Sequence, residues 1–253
     1  MDKVDLSTIS LGIVCPVGNE RESIAAFVKE TLAQCEAFGF VVFLAILDGY
    51  SVDGTFQILK DLELVAPRLR VIWAEENRCV VDAYIRGYRE ALQMKCDWIL
   101  EMDAGFSHLP SDIPKFLEQM SKGYECVFGS RFCAGGRYTN YSWHRFLVSY
   151  GGSFLINLLL GTKLSDMTSG FELFKAEVLK DVLDKGICSK GPFFQTEIKV
   201  HCRNRYLGEV PIHYSKPSAN VSLPILLDAL GNLFRLSIDR VRSAFKRPLK
   251  GEE

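Results

Sequence analysis

The sequence predicts a doubly wound α/β fold, in which helices cover both faces of a mostly parallel β-sheet. Five apolar segments with strand character lie in the first half of the chain, at residues 9–17, 40–47, 69–74, 98–102 and 126–132. Segments with helical periodicity separate these strands. Strands that alternate with helices form a parallel sheet, and each connection crosses over in the right-handed sense.

The first predicted helix has the clearest periodicity. Its apolar positions follow the i, i+3, i+4, i+7, i+8 and i+11 pattern of one helix face, and they are Ile24, Phe27, Val28, Thr31, Leu32 and Cys35. Gly39 is placed to end this helix. Three more helices are predicted over residues 55–66, where Pro67 ends the pattern, 81–94 and 112–120.

The composition is that of an ordinary globular protein. Of 253 residues, 48% are hydrophobic and 24% charged, and 30 basic residues balance 31 acidic ones, so no overall field attracts nucleic acid. The eight cysteines form no C-x-x-C pair, which argues against structural zinc and a disulfide framework. The chain has no signal-peptide pattern and no uninterrupted apolar segment of about 18 residues. We therefore expect a cytoplasmic protein with reduced thiols and no membrane span.

Polar segments follow the predicted strands, at residues 16–20, 48–53, 75–80 and 103–108. Ligands of open α/β sheets bind beyond the carboxyl ends of the strands, so these segments predict a ligand site at one edge. No G-x-G-x-x-G follows the first strand and no G-x-x-x-x-G-K-[ST] occurs, which removes the main support for a dinucleotide or P-loop site. A sugar-phosphate nucleotidyltransferase is disfavoured too, because residues 12–24 contain no G-x-G-x-R.

Seven segments resemble those of glycosyltransferase family 2 in order and approximate spacing. They are CPVGNERESI, ILDGYSVDGT, EMDAGFSHLPSDIP, FGSRF, SDMTSGFELF, FFQTEI and GEVPIHY. The resemblance covers roughly residues 8–215 and is nearest to the dolichyl-phosphate mannosyltransferases and polyprenyl-phosphate glycosyltransferases. It implies a GT-A fold over residues 1–215, followed by an amphipathic, basic helical extension over residues 216–253. It also implies inverting transfer of a sugar from a UDP- or GDP-linked donor to an acceptor such as a polyprenyl or dolichyl phosphate.

The resemblance carries over to particular residues. It implies Asp103, Arg131 and Asp166 as catalytic residues, with Asp103 and Gln195 near a Mg²⁺ or Mn²⁺ ion. The donor is expected to contact Pro16, Gly18, Glu20, Ile46, Asp48, Ala104, Arg131 and Lys216.

Each role has a structural alternative. Asp48 and Glu20 offer carboxylates to a nucleobase or ribose, or serve as turn and helix-cap acids. Arg131 offers a bidentate donor to a phosphate, or forms a surface ion pair. Asp166 is either a loop cap or a group near the acceptor, where an alcohol would need it as a base and an anionic phosphate only as a positioner. Gln195 is near the cation, or an ordinary polar residue of a helix.

Two other polar residues are assigned structural roles. Asp53 precedes Gly54 and Thr55 and is expected to cap a helix or a turn. His108 follows a serine in a family-like pair, where a metal or phosphate contact is the alternative to a structural hydrogen bond.

The sequence also departs from the family pattern. The second acid of the usual D-x-D is Gly105, and the aromatic residue expected near the first strand is Gly18. Asp82 stands where a glycine-rich turn is expected, and it is either a replacement metal ligand or a helix N-terminal acid. Glu172 replaces an expected arginine, and of a basic acceptor motif only Lys216 remains. We therefore expect weaker cation binding that depends on the donor, with a non-catalytic member that binds a nucleotide sugar or a protein partner as the alternative.

Two apolar helices complete the chain. Residues 143–160 are nearly long enough to span a membrane, but a polar stripe of Ser149, Ser153 and Asn157 indicates a buried or interfacial helix. Leucines in the tail follow helical spacing, and Arg235, Arg242 and Lys246 recur on another face. Such a helix lies on the cytoplasmic face of a membrane, or packs on its own core or on a homo-oligomer partner.

Overall fold

The computed structural model describes residues 5–139, 143–215 and 222–246, without the side chains of residues 144, 145 and 243–246. Its strands are β1 (Ser10–Pro16), β2 (Phe40–Leu47), β3 (Leu69–Trp73), β4 (Trp98–Glu101), β5 (Cys126–Ser130), β6 (Arg137–Tyr138), β7 (Glu172–Lys175), β8 (Leu207–Pro211) and β9 (His213–Tyr214). Its α-helices are α1 (Ile24–Ala33), α2 (Thr55–Glu63), α3 (Val80–Gln93), α4 (Ile113–Ser121), α5 (Trp143–Leu160), α6 (Ala176–Lys185), α7 (Phe193–Cys202) and α8 (Leu223–Lys246).

The main sheet has seven strands in the order β3-β2-β1-β4-β7-β5-β8. All neighbours run parallel except β7, which is antiparallel to both β4 and β5. The mostly parallel sheet predicted from the sequence is confirmed, and all five predicted strands are present. The apolar periodicity did not identify β7, β8 or the small β6-β9 sheet.

Helix α3 packs closely against the centre of the sheet. A side chain at Gly87 would collide with Val14, and one at Gly12 would meet Ala91 at 2.9 Å. Small residues on both surfaces allow this close approach, and strand β1 is buried on both faces as parallel strands usually are. The approach brings the N-terminal half of α3 to the carboxyl end of β4.

The first helix ends earlier than its sequence predicts. Helix α1 stops at Ala33, and turns connect it to β2. Gly39 is required for another reason, because a Cβ atom at this position would overlap the backbone carbonyl of Ser7. The glycine therefore serves a tertiary contact rather than the end of the helix.

Helices α5 and α8 pack against each other, and α8 also contacts α7. Arg235 of α8 bonds to the buried Glu197 of α7, and Arg240 Nη1 donates to the Leu159 carbonyl at 2.7 Å. Two basic residues of α8 thus hold the helix in place. No helix in the described part of the chain combines the length and hydropathy needed to span a bilayer.

Candidate active site

The site lies where the strand order changes direction, between β1 and β4. Ligands of doubly wound sheets bind at this switch point, beyond the carboxyl ends of the strands. Pro16 and Ile46 are paired in register at the ends of β1 and β2, and Ala104 follows β4 with 9% of its surface exposed. An open cleft of about 400 Å³ adjoins this edge and is lined by residues 19–23 and Asp53.

Asp103 is held in place by two neighbours at the end of β4. Tyr84 of α3 donates its hydroxyl hydrogen bond to Asp103 Oδ1. The Asp103 backbone N–H donates to His108 Nδ1 at 2.9 Å. The Asp103 side chain remains 42% exposed. The Asp103 carboxylate is therefore fixed by Tyr84 and still accessible to a ligand.

His108 is a structural residue of this loop. It is 2% exposed and stacks on Phe171 with ring centroids 4.9 Å apart. Burial lowers the pKa of His108 from its usual 6.5, against the opposing effect of the Asp103 carboxylate. A neutral ring with Nδ1 as the acceptor matches the backbone hydrogen bond, so the predicted structural role is confirmed.

The space beside Gly105 is occupied by another acid. Gly105 has a φ of +69°, and a Cβ built on it would collide with both carboxylate oxygens of Glu20. Glu20 is fixed there because its Oε2 accepts from Ser23 Oγ at 2.7 Å and its backbone N–H donates to Thr55 Oγ1 at 2.9 Å. The position that lacks the second acid of the motif thus faces the Glu20 carboxylate.

A similar replacement occurs at Gly18. A Cβ atom there would lie 3.0 Å from Cδ1 of Tyr50, whose side chain is 75% exposed. Asn19 Nδ2 donates to the Tyr50 carbonyl at 2.9 Å, and the Tyr50 N–H donates to Asp48 Oδ1 at 2.9 Å. The aromatic surface that Gly18 cannot supply is present on the neighbouring loop. Sequence reasoning missed Tyr50, although it stands two residues after Asp48.

Asp53 is the turn residue that the sequence offered as one of two roles, because the N-cap position of α2 is Gly54. Its Oδ1 accepts from the Thr55 N–H at 3.0 Å and its Oδ2 from the Arg21 N–H at 3.0 Å. The hydrogen bond from the Thr55 hydroxyl lowers the pKa of Asp53. This carboxylate therefore closes the turn that begins α2.

Arg131 and Asp166 form a buried ion pair. Arg131 Nε lies 2.7 Å from Asp166 Oδ2, and its Nη2 lies 2.8 Å from Oδ1. Thr168 Oγ1 accepts a further bond from Nη2, and the ring centroids of Phe132 and Tyr214 lie 5.1 and 5.6 Å from the guanidinium carbon. The sequence predicted that Arg131 donates two hydrogen bonds to a phosphate, and in the structure these donors bind Asp166. The alternative of a surface ion pair is excluded because Arg131 is 7% exposed.

This environment makes Asp166 a weak base. Burial alone would raise the pKa of Asp166, but the charge and hydrogen bonds of Arg131 outweigh it and hold that pKa below 3.8. Both carboxylate oxygens accept hydrogen bonds from Arg131, and Oδ1 also accepts from the Thr168 N–H at 3.1 Å. Little basicity remains for removing a proton from an acceptor.

A second buried polar network lies beneath the site. Gln195 donates its amide to Glu101, which also accepts from the Tyr88 hydroxyl. Glu172 pairs with Glu101 across the sheet and bonds to Lys199. Gln195 Oε1 is buried without a hydrogen-bond partner in the described residues. Gln195 is thus directed at Glu101, and its role beside a cation stays a prediction.

The remaining predicted residues are not gathered at the same point. Asp82 Oδ2 accepts from the Arg78 N–H at 2.9 Å at the start of α3, which favours its alternative as a helix N-terminal acid. Lys216 lies outside the described residues. No group of three or more His, Cys, Asp or Glu side chains suited to a metal ion occurs within residues 5–139, 143–215 and 222–246.

The sequence profile of glycosyl transferase family 2 matches residues 12–183, about two thirds of the chain. This protein belongs to glycosyltransferase family 2. Within that family it is 29% identical over 213 residues to a polyprenol monophosphomannose synthase of Mycolicibacterium smegmatis, covering 83% of this chain and 79% of the relative. It is 32% identical over 173 residues to an undecaprenyl-phosphate mannosyltransferase of Micrococcus luteus, covering 67% of this chain and 70% of that protein.

The solved structures support the same fold for this glycosyltransferase. Glucosyl-3-phosphoglycerate synthase of Mycobacterium tuberculosis, in complex with UDP, superimposes with a TM-score of 0.62 and 16% identity over 92% of this chain and 79% of that one. The same enzyme with Mn²⁺, UDP-glucose and phosphoglyceric acid gives a TM-score of 0.60. At this identity the likeness establishes the fold alone. The GT-A-like fold predicted from the sequence is confirmed.

Proposed function

We propose that this glycosyltransferase moves a sugar from a nucleoside diphosphate donor to a lipid phosphate of the polyprenyl class, with inversion at the anomeric carbon. The names of the two curated relatives, a polyprenol monophosphomannose synthase and an undecaprenyl-phosphate mannosyltransferase, support this acceptor class.

The state of Asp166 carries the acceptor proposal. An alcohol acceptor needs a general base to remove its proton, whereas a phosphate oxygen is already anionic. Asp166 has a lowered pKa and is fully buried against Arg131, so it is poorly suited to act as that base. An acceptor that brings its own negative charge removes the need for one.

The donor is proposed to lie along the carboxyl ends of β1, β2 and β4. Pro16, Ile46, Asp48 and the Tyr50 ring line the part proposed for the nucleoside. Stacking on an exposed aromatic ring and hydrogen bonds to a carboxylate are common ways of holding a base and a ribose.

The diphosphate is proposed to lie against the loop that begins at Asp103 and Ala104. Asp103 is exposed and fixed by Tyr84, and Glu20 lies beside Gly105. Oxygen ligands of this kind fit Mg²⁺ or Mn²⁺, which usually also bind phosphates of the substrate. Such an ion would supply positive charge to the leaving diphosphate.

In the proposed reaction, an oxygen of the acceptor phosphate forms a bond to the anomeric carbon. The bond from that carbon to the β-phosphate oxygen breaks at the same time, and the nucleoside diphosphate leaves with the electron pair. Arg131 and Asp166 act together as a positioning unit, with Asp166 fixing the guanidinium plane. No proton needs to be transferred.

A lipid acceptor also accounts for the exposed apolar surface of α5 and α8. The large apolar residues that are 39% or more exposed on these two packed helices are Trp143, Leu147, Val148, Tyr150, Phe154, Leu155, Leu158, Leu159, Leu223, Leu226, Leu227, Leu230, Phe234 and Val241. Exposed apolar patches of this extent mark contacts with membranes or partners. We propose that this surface lies on the membrane that holds the acceptor, so that the protein is peripheral.

The proposal is tested with a chain-length-matched pair of acceptors. The protein is incubated with Mn²⁺ and UDP- or GDP-linked hexoses, together with a short polyprenyl phosphate or the corresponding polyprenol, and products are identified by mass spectrometry. We expect a glycosylated polyprenyl phosphate and no glycosylated polyprenol. Equal use of the alcohol, or consumption of neither donor, would contradict the proposed function.

A further inference from the structure

We propose that Glu20 supplies the second carboxylate of the nucleotide–cation site, in the space where the motif residue at position 105 has no side chain. This inference rests on the proposed function, because it assigns a ligand to the same donor site. It differs from the role in base or ribose contact that the family resemblance implies for Glu20.

The geometry at Gly105 carries the argument. A Cβ atom on this residue would overlap Oε1, Oε2 and Cδ of Glu20, so the Glu20 carboxylate occupies the volume of the missing side chain. Asp103 stands two residues before Gly105, which is the spacing of the two acids in D-x-D. The Glu20 carboxylate thus places beside Gly105 the negative charge that the second acid of D-x-D would have supplied.

Glu20 is held so that one of its oxygens faces the loop after β4. Ser23 Oγ binds Oε2 at 2.7 Å, and the backbone of Glu20 is anchored to Thr55. Oε1 has no hydrogen bond from any residue that the structure describes. An oxygen that is oriented by its partner and left without a donor is suited to bind a cation.

Both carboxylates also act on a common neighbour. Cys15, at the buried end of β1, has a pKa raised well above 9.0, first by burial and then by the Asp103 and Glu20 charges. Both acids therefore lie close enough to the end of β1 for their charges to act on Cys15.

Asp82 was the other candidate for the missing acid. Its Oδ2 is engaged by the Arg78 N–H at the start of α3, and Glu20, rather than Asp82, lies against the position of the Gly105 side chain. Glu20 and Asp82 as the metal ligand predict different variants in which the effect of Mn²⁺ on nucleotide affinity is lost.

The test measures nucleotide affinity with and without Mn²⁺ by isothermal titration calorimetry, using UDP and GDP in turn. The ratio of the two affinities reports the coupling between cation and nucleotide. Loss of an outer-shell partner already costs a metal site about 10- to 100-fold, so Glu20→Gln should reduce this ratio by at least about 10-fold. Affinity without Mn²⁺ should not fall, because removal of a negative charge does not weaken binding of a diphosphate.

Two more variants sharpen the result. Glu30→Gln makes the same change on an exposed side chain of α1, outside the residues that line the cleft, and should leave both affinities unchanged. Glu20→Ala combined with Gly105→Asp removes the side chain that fills this space and restores a carboxylate on the other loop, so it should recover the Mn²⁺ effect that Glu20→Ala alone loses. Aspartate is among the residues that tolerate a positive φ.

The outcomes separate this inference from the proposed function. Equal loss of affinity with and without Mn²⁺ in Glu20→Gln would make Glu20 a nucleoside contact and overturn the inference, and so would a Mn²⁺-specific loss found in Asp82→Ala but not in Glu20→Gln. Both results leave the proposed function standing. A wild-type protein that binds neither nucleotide under either condition would refute both.

Discussion

Arg131 Nε lies 2.7 Å from Asp166 Oδ2, in an ion pair of which Asp166 is fully buried and Arg131 is 7% exposed. The pair joins the residue that follows β5 to the loop before β7. A buried charge that loses its partner is costly, whereas replacing both partners is often nearly neutral. The pair therefore allows its structural and catalytic roles to be separated.

Replacing Arg131 with Met should lower the free energy of unfolding by about 3–5 kcal/mol, because Asp166 is left buried and unpaired. Arg131→Met combined with Asp166→Asn should recover a large part of that loss without recovering activity. Urea denaturation measures the free energy of unfolding of the single and the double variant. Arg86→Met breaks a more exposed pair with Glu76 and Glu90 and should cost at most about 1 kcal/mol. A double variant as unstable as Arg131→Met would show that the unpaired charge of Asp166 is not the cause of the instability.

Asp103→Asn decides between a transferase and a protein that only binds nucleotide sugars. The substitution keeps the shape of the side chain but removes the carboxylate charge that is proposed to hold the cation against the diphosphate. We expect kcat to fall at least about 100-fold, as it does when a group that stabilises transition-state charge is lost, with an unchanged thermal midpoint. Asp61→Asn, on the exposed surface of α2, is the matched control. Transfer that persists at the wild-type rate would remove Asp103 from the catalytic residues.

Tyr50 should contribute to nucleotide binding through its ring. Aromatic stacking contributes about 0.5–1.5 kcal/mol, so Tyr50→Ala should weaken UDP or GDP binding by roughly 2- to 10-fold, while Tyr50→Phe should not. Tyr50→Ala combined with Gly18→Tyr returns a ring to the same place and should restore affinity. Tyr206→Ala, an exposed ring that stacks on Tyr124, is the control. Calorimetry that shows no change in Tyr50→Ala would exclude a stacking role.

The buried Glu172 predicts a particular dependence of stability on pH. Burial, opposed by the Lys199 charge, raises the pKa of Glu172 from 4.5 to about 7. The folded state then binds more protons than the unfolded state between these values, so this contribution is fully present below pH 4.5 and is lost as pH rises through about 7.

Glu172→Gln should therefore show a smaller fall in unfolding free energy between pH 5 and pH 8 than the wild type. Urea denaturation at the two pH values measures the difference. Glu177→Gln, on the exposed surface of α6, should retain the wild-type pH dependence. If the Glu172→Gln variant also retains the wild-type pH dependence, the prediction that the pKa of Glu172 is raised is wrong.

The apolar surface of α5 and α8 should bind membranes. Leu227→Asn and Phe234→Asn, both on exposed positions of α8, should together reduce sedimentation with phosphatidylglycerol vesicles several-fold, because apolar area that would enter the interface is lost. Val65→Asn removes an exposed apolar side chain between α2 and β3 and should have no effect. If vesicle binding is unchanged while a wild-type dimer dissociates in Phe234→Asn, the surface is a contact between copies of the chain.

The sequence predicted the strands and helices of the first half of the sheet more accurately than those of the second. Strands β1 and β2 are continuous apolar runs because they are buried on both faces. Strand β7 has only four residues, and Glu172 and Lys175 stand at its ends. A short strand with a buried charged residue has no apolar pattern to reveal it, because Glu172 is stabilised by Lys199 from a distant helix.

The sequence by itself determined the parallel α/β architecture, the family, and local roles such as the turn closed by Asp53, and it predicted the edge of the candidate site. These features depend on the spacing of apolar residues, on turn-forming residues and on residues that are neighbours in the chain. All of these can be read directly from the sequence. Only the tertiary structure decided that Glu20 fills the space beside Gly105, that Tyr50 covers Gly18, and that Arg131 is paired with Asp166. The physical reason is that each contact joins loops far apart in the chain, and only the register of the sheet brings them together.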